Sequence, residues 1–174
     1  MRIRKPEFTQ AQLMEALHYD PETGVFTWRN DRQSNAKAGS VAGFDDTAGY
    51  RSIGIGMTTW KAHRLAWFYV HGIWPEALID HMNQDKLDNR IANLRLATIS
   101  QNRQNMTKYR SNTSGFKGVH WFKATSRWQA QIKHEGRRYH LGFFKNAEDA
   151  AAAYRTAAAR LHIYNPEAAL AARS

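Results

Sequence analysis

The chain has no cysteine, which excludes a disulfide framework and the cysteine-rich structural zinc sites that support many small nucleic-acid-binding folds. It also lacks an apolar run of the roughly 18 residues that a membrane helix needs, and it has no signal-peptide pattern. A soluble protein in the cytoplasm is therefore expected. Repeats and low-complexity tracts are missing as well, apart from an alanine-rich stretch near the carboxyl end. Acidic residues are few, 15 Asp and Glu against 25 Lys and Arg, for a net charge of +10. A field of that sign favours polyanions and predicts binding that weakens steeply with salt. With 43% hydrophobic and 12% aromatic residues among 174, the chain can bury a core, but its parts are small and each is marginal alone. Bound DNA or a metal is expected to steady them. The eight histidines form no second ligand set beyond the group described next, so no structural zinc is expected.

Asp80 and His81 are followed by Asn93 and, nine residues further on, by Asn102, amid Arg90, Arg95 and Arg103. Cutting a phosphodiester requires a cation to absorb charge, a base to activate water, and fixed geometry. Asp80 offers a hard anionic ligand, His81 a base that titrates near neutrality, and the two amides ligate or orient without adding charge. Taken singly, each residue reads as a turn, a helix cap or a surface histidine. The four in register point to a nuclease centre. Asp85, Asp88 and Asn89 read as shaping the loop, and Asn105 is a weaker second candidate on the helical face of Asn102.

The run KAHRLAWFYVHGIWPEALIDHMNQDKLDNRIANLRLATISQNRQN resembles the HNH nucleases of phage and intron-encoded homing endonucleases. Identity, order and spacing agree at Asp80, His81, Asn93 and Asn102. Asn102 stands where the family's name has its last histidine. The resemblance implies a ββα-metal (His-Me finger) fold: a strand LIDH, a loop MNQDKLDNRIANL, a strand RLAT, and a helix opened by Thr98 or Ser100. It further implies that His81 deprotonates water, that Asp80 and Asn102 hold one divalent ion, and that Asn93 braces the loop behind His81. The hard ligands make Mg2+ the expected ion, with Mn2+ as a substitute. His63 has two readings, a packing residue between Ala62 and Leu65 or a group meeting the cleaved strand.

From Ser111 to about His162 the pattern is three short strands and a helix. In RWQAQIK, Trp128, Ala130 and Ile132 share one face, and Arg127, Gln129, Gln131 and Lys133 the other. Asn146 caps AEDAAAAYRTAAARLH, whose alanines favour a helix and let it lie close on a sheet. Residues 111–174 carry ten Lys/Arg against four Asp/Glu, and residues 1–110 fifteen against eleven, so the positive charge is concentrated in the shorter segment. A polar sheet face of this kind can be a solvated surface or can enter a major groove.

The signature FKGVHW, RWQAQI, YHLGFF and AEDAAAAY is similar to the plant ethylene-response-factor (Apetala-type) DNA-binding domain. That resemblance implies groove or phosphate contacts at Lys117, His120, Arg127, Gln131, Lys133, Arg138 and His140. The chain departs from it in carrying Lys117, His120 and His140 where the plant domains have arginines and an exposed tryptophan.

The first sixty residues are less specific. A helical period runs from Thr9 to about His18, DPETGVFTWR reads as a turn into a strand, Gly39 to Gly43 marks a loop, and GYRSIGIG pairs with a strand that becomes a helix. Trp60, Trp67 and Trp74 read as core or rim aromatics. The loop with Arg29, Arg32 and Lys37 is either a DNA arm or a plain loop.

The expected class is α+β: an HNH nuclease domain over residues 1–110, with its ββα-metal core at about 63–108, then a three-stranded antiparallel sheet packed on one helix over 111–164, and a tail 165–174. The expected function is a site-directed, homing-type DNA endonuclease. It would act as a monomer on double-stranded DNA, with no membrane and no obligate protein partner, in a bacterial host cell if phage-encoded. Two alternatives remain, a catalytically inert DNA-binding regulator and a structured-RNA-binding protein.

Overall fold

A computed structural model describes residues 4–32, 36–105 and 112–162. It divides into two compact units, Met1–Thr98 and Ile99–Ser174. The boundary expected at residue 110, the end of the expected nuclease core, and the tail from residue 165 fall outside the described residues.

The first unit opens with α1 (Gln10–Ala16), started by a capping box between Thr9 and Gln12. The helix is shorter than its apolar period predicts. At Leu17 the backbone becomes extended, and Leu17–Tyr19 (β1) instead pairs antiparallel with Phe26–Trp28 (β2). Next come β3 (Phe44–Asp45), β4 (Arg51–Ile55) and β5 (Thr58–Lys61), an antiparallel sheet in that order. β5 runs directly into α2 (Ala62–His71), as the sequence pattern predicts, and α2 stops at Gly72 in the left-handed region. One core joins these pieces. Leu13, Leu17, Ile53 and Leu65 are fully buried in it, and Trp60 and Trp74 meet edge to face at 5.2 Å. Trp60 and Trp74 are thus core aromatics, and Trp67 is partly buried at the edge of the same core.

The strands β6 (Leu78–His81) and β7 (Leu94–Ala97) form an antiparallel pair in which Asp80 faces Arg95 and His81 faces Leu94. Between them runs a polar loop that closes in a single 3-10 turn, Ile91–Asn93. The β1–β2 turn holds this loop from behind. Tyr19 donates its hydroxyl to the Asn89 carbonyl at 2.7 Å. Gly24, at φ +74°, approaches so closely that a Cβ there would sit 2.4 Å from the Arg90 nitrogen.

The second unit begins with α3 (Ile99–Asn105). Its sheet comprises β8 (Val119–Phe122), β9 (Arg127–His134) and β10 (Arg137–Phe144), with β9 central and all pairs antiparallel, and a register shift between His140 and Gly142. α4 (Ala147–Leu161) starts at Asn146, whose side chain accepts from the Asp149 amide at 2.8 Å. The alanines act as the pattern predicts: Ala147, Ala150, Ala151 and Ala158 are buried, and α4 packs on all three strands. Gly118 lets the helix come near, because a Cβ at this φ +71° position would lie 2.2 Å from the Tyr154 ring. The mixed α/β class and the three-stranded sheet backed by one helix are both present.

Candidate active site

Asp80 and His81 end strand β6, each 5% exposed. Cross-strand register brings Arg95 opposite Asp80, and its guanidinium grips Oδ2 with two bonds, Nε at 3.0 Å and Nη2 at 2.8 Å. This two-pronged contact fixes the orientation of the carboxylate.

His81 faces a different set of groups. Its Nε2 lies 3.3 Å from Oδ1 of Asn89, which is itself 2% exposed. The Asn89 amide nitrogen donates to the Leu87 carbonyl at 3.0 Å, so its oxygen must be the atom turned to the imidazole. An oxygen accepts, so Nε2 carries the proton and the basic lone pair resides on Nδ1. Burial pushes the His81 pKa below the usual histidine value, outweighing the contact with Asn89 and the nearby Asp80, Asp85 and Asp88, which push it up. At neutral pH the ring is uncharged, the form a general base requires.

Asn93 closes the loop. Its Oδ1 accepts from the Asn83 amide at 3.0 Å, and its Nδ2 donates to Oδ1 of Asn83 at 3.0 Å and to the Asp88 carbonyl at 2.8 Å. Asp88 in turn accepts from Asn83 and from Arg90. Asp85 and Asp88 thus take part in loop turns, since Asp85 accepts from the Leu87 amide.

His63, at the start of α2, is buried beside this group, its ring 5.1 Å from that of His81 and 5.3 Å from that of Tyr50. Its Nδ1 has no hydrogen-bond partner, and burial pushes its pKa down to about 3, with His81, Arg64 and Lys61 adding in the same direction. Tyr50 is also 6.0 Å from the His81 ring. Asn102, the other residue of the sequence motif, lies on α3 in the second unit and is partly buried, as is Gln101 before it; Asn105 at the helix end is buried.

On the sheet of the second unit, pairing sorts the residues by face. Val119 and Ala130 are buried in one core with the α4 alanines, and Ile132 on the same face of β9 is buried too. The other face carries His120 opposite Gln129, Phe122 opposite Arg127, Arg138 opposite Lys133, and His140 opposite Gln131. His120 Nε2 lies 2.7 Å from Gln129 Oε1. Arg127, Lys133, Arg138 and His140 are exposed, and Phe122 and Phe143 meet in the same row at 5.2 Å. Lys117 is placed differently, its ammonium donating to the Gln104 and Arg103 carbonyls at 2.6 and 3.3 Å, at the end of α3. In the first unit, the loop arginines and lysine are exposed and engaged locally: Arg29 reaches the Leu17 carbonyl, Arg32 the Gly54 carbonyl and the Trp28 ring, and Lys37 pairs with Asp31.

Asn83, Asn89, Arg95 and Tyr50 were not singled out as site residues by the sequence pattern. Arg95 was accessible to it, since pairing LIDH with LRLA antiparallel places it opposite Asp80. Tyr50 comes from a distant hairpin, and nothing local marks it.

Residues 61–104 match the model of the HNH endonuclease family. Protein 3.8 of Escherichia phage T7 is 34% identical over 97 residues, an alignment spanning 55% of this chain and 80% of that protein. A solved structure described as DNA binding and cleavage by the HNH homing endonuclease I-HmuI aligns over 78% of this chain and 75% of its own, at a TM-score of 0.40 and 18% identity. The chain belongs to one family with Protein 3.8 of phage T7 and carries an HNH endonuclease domain.

Proposed function

We propose that the chain is a site-directed, homing-type DNA endonuclease that hydrolyses phosphodiester bonds with one divalent ion, and that the sheet of the second unit places it on duplex DNA. The observation that carries the reading is the His81–Asn89 contact, which sets an uncharged, buried imidazole beside a carboxylate within the HNH domain. His81 accepts the proton of the attacking water at Nδ1, and the Asn89 oxygen steadies the imidazolium that results. Asn93, through Asn83 and Asp88, keeps the loop from collapsing onto the ring.

HNH nucleases generally use a divalent metal, and the residues suit a hard one. The Asp80 carboxylate is oriented by Arg95, and Asn102 offers a carboxamide oxygen. Among the described residues no group of three or more His, Cys, Asp or Glu is arranged around a common point, so phosphate oxygens and water would complete the coordination, as is usual for Mg2+, with Mn2+ able to replace it. Held by the ligands that the motif assigns to it, Asp80 and Asn102, the ion would supply charge neutralisation at the leaving oxygen. Duplex DNA is the partner that the polar, largely basic row His120, Arg127, Gln131, Lys133, Arg138 and His140 suits, with Lys117, placed at the end of α3, as a further candidate contact.

The test is relaxation of supercoiled plasmid in Mg2+ with and without chelator. Magnesium-dependent conversion to nicked or linear product supports the endonuclease; tight duplex binding with intact plasmid at every metal concentration marks an inert regulator instead.

A further inference from the structure

Lys86 lies in the loop immediately after His81, and its ammonium sits 4.8 Å from the centre of the Tyr50 ring. Lys61 approaches the same ring at 5.5 Å. The two cations differ in one respect. Lys61 is ion-paired with Asp46 and lies 3.3 Å from Ser52 Oγ, so its charge is matched. Lys86 donates to the Ala48 carbonyl at 2.8 Å, a neutral acceptor, and among the described residues no ion pair engages it. It is therefore a charge held in place without being neutralised. A lysine normally gives up considerable side-chain freedom to be fixed in this way. Here the aromatic face and the carbonyl hold it already. Burial, with Asp46 and Asp80 adding, pushes the Tyr50 pKa up, so the ring stays neutral and keeps its attraction for a cation. The same ring faces His63 and His81.

We propose that Lys86, perched on Tyr50, is the seat for a non-bridging phosphate oxygen of the DNA strand that passes His81, with Tyr50 as its positioning residue. The inference deepens the endonuclease reading and rests on it for the identity of the ligand, a phosphodiester of duplex DNA. It gives the first unit its own backbone contact, separate from the basic row on the sheet. An ammonium fixed before the DNA arrives registers the strand against the base, and a displacement of about 1 Å there is enough to cost orders of magnitude in rate.

The experiment uses the full chain and a duplex of about 30 base pairs, in chelator so that no cleavage intervenes, with affinity measured across a salt series. Lys86→Met should lower the magnitude of the slope of log K against log salt by about 0.9, the contribution of one phosphate contact. Lys5→Met, which removes an exposed lysine paired with Glu76, should leave the slope at the parent value. Tyr50→Leu should weaken binding several-fold, whereas Tyr50→Phe, which keeps the ring, should bind as the parent does. A parental slope in Lys86→Met overturns the proposal, and so does equal weakening by Tyr50→Leu and Tyr50→Phe. Because binding is read without metal, a chain that never cuts plasmid would defeat the endonuclease reading while leaving the Lys86 result to stand or fall on its own slope.

Discussion

Asn89 and His81, eight residues apart in sequence, share a buried contact in which the orientation of the amide dictates which ring nitrogen carries the proton. Replacing Asn89 by Ala removes that constraint without touching Asp80 or Arg95. Single-turnover cleavage at saturating protein is expected to fall about 10- to 100-fold, the usual cost of losing a group that orients a reacting residue, while duplex affinity stays within about twofold. Equal loss of both would mean that Asn89 acts through the fold and not through the imidazole.

The pair between Arg95 and Asp80 is the most buried ion pair among the described residues, with side chains 23% and 6% exposed. Taking away one partner of a buried pair costs far more than the pair contributes. Arg95→Met is therefore expected to destabilise the chain by roughly 3 kcal/mol in urea unfolding, since the Asp80 carboxylate loses its two-pronged partner. A midpoint that does not move would show that the carboxylate is satisfied without the guanidinium.

His63 makes stability depend on acid. Its folded pKa, about 3, lies below the ordinary histidine value of 6.5, so the unfolded chain takes up a proton that the folded chain refuses. The stability linked to this group is complete above 6.5 and drains away as pH falls from there toward 3, at up to about 1.4 kcal/mol per pH unit. His63→Phe removes the titration along with an Nδ1 that has no partner. Comparing melting temperatures at pH 7 and pH 4.5, the variant should lose less on acidification than the parent. Identical losses would place the acid sensitivity elsewhere, for instance in the carboxylates.

On the second unit, Lys133 and Arg138 face one another across β9 and β10 on the face away from α4. The double substitution to Gln should weaken duplex binding at moderate salt and lower the salt slope by about 2, with the melting temperature unchanged because both side chains are exposed. If the slope held and only the melting temperature fell, this face would be structural.

Much of this was legible from residues alone. The Asp80, His81 and Asn93 spacing located the loop, the alternation of RWQAQIK assigned Ala130 and Ile132 to the buried face, and the alanine run gave α4. The end of α1 is not legible, because an apolar period does not distinguish a final helical turn from the start of a buried strand; Leu17 and Tyr19 are buried in β1. Asn89 reads as loop chemistry from sequence, and its carbonyl and side-chain amide nitrogen do serve the loop; only its side-chain oxygen reveals the link to His81. By its resemblance Lys117 falls among the sheet's cations, yet its side chain meets carbonyls at the end of α3, a contact that needs three-dimensional proximity to be seen. Tyr50 and Lys86 lie 36 positions apart and meet only because the loop after His81 folds over the β3–β4 turn.

The most direct measurement pairs cleavage with binding for His81→Ala on one DNA substrate in Mg2+. The base assignment predicts loss of strand cleavage by about two to four orders of magnitude, in line with removal of a base from a hydrolytic site, with gel-shift affinity within about twofold of the parent. Retained cleavage in that variant would contradict it.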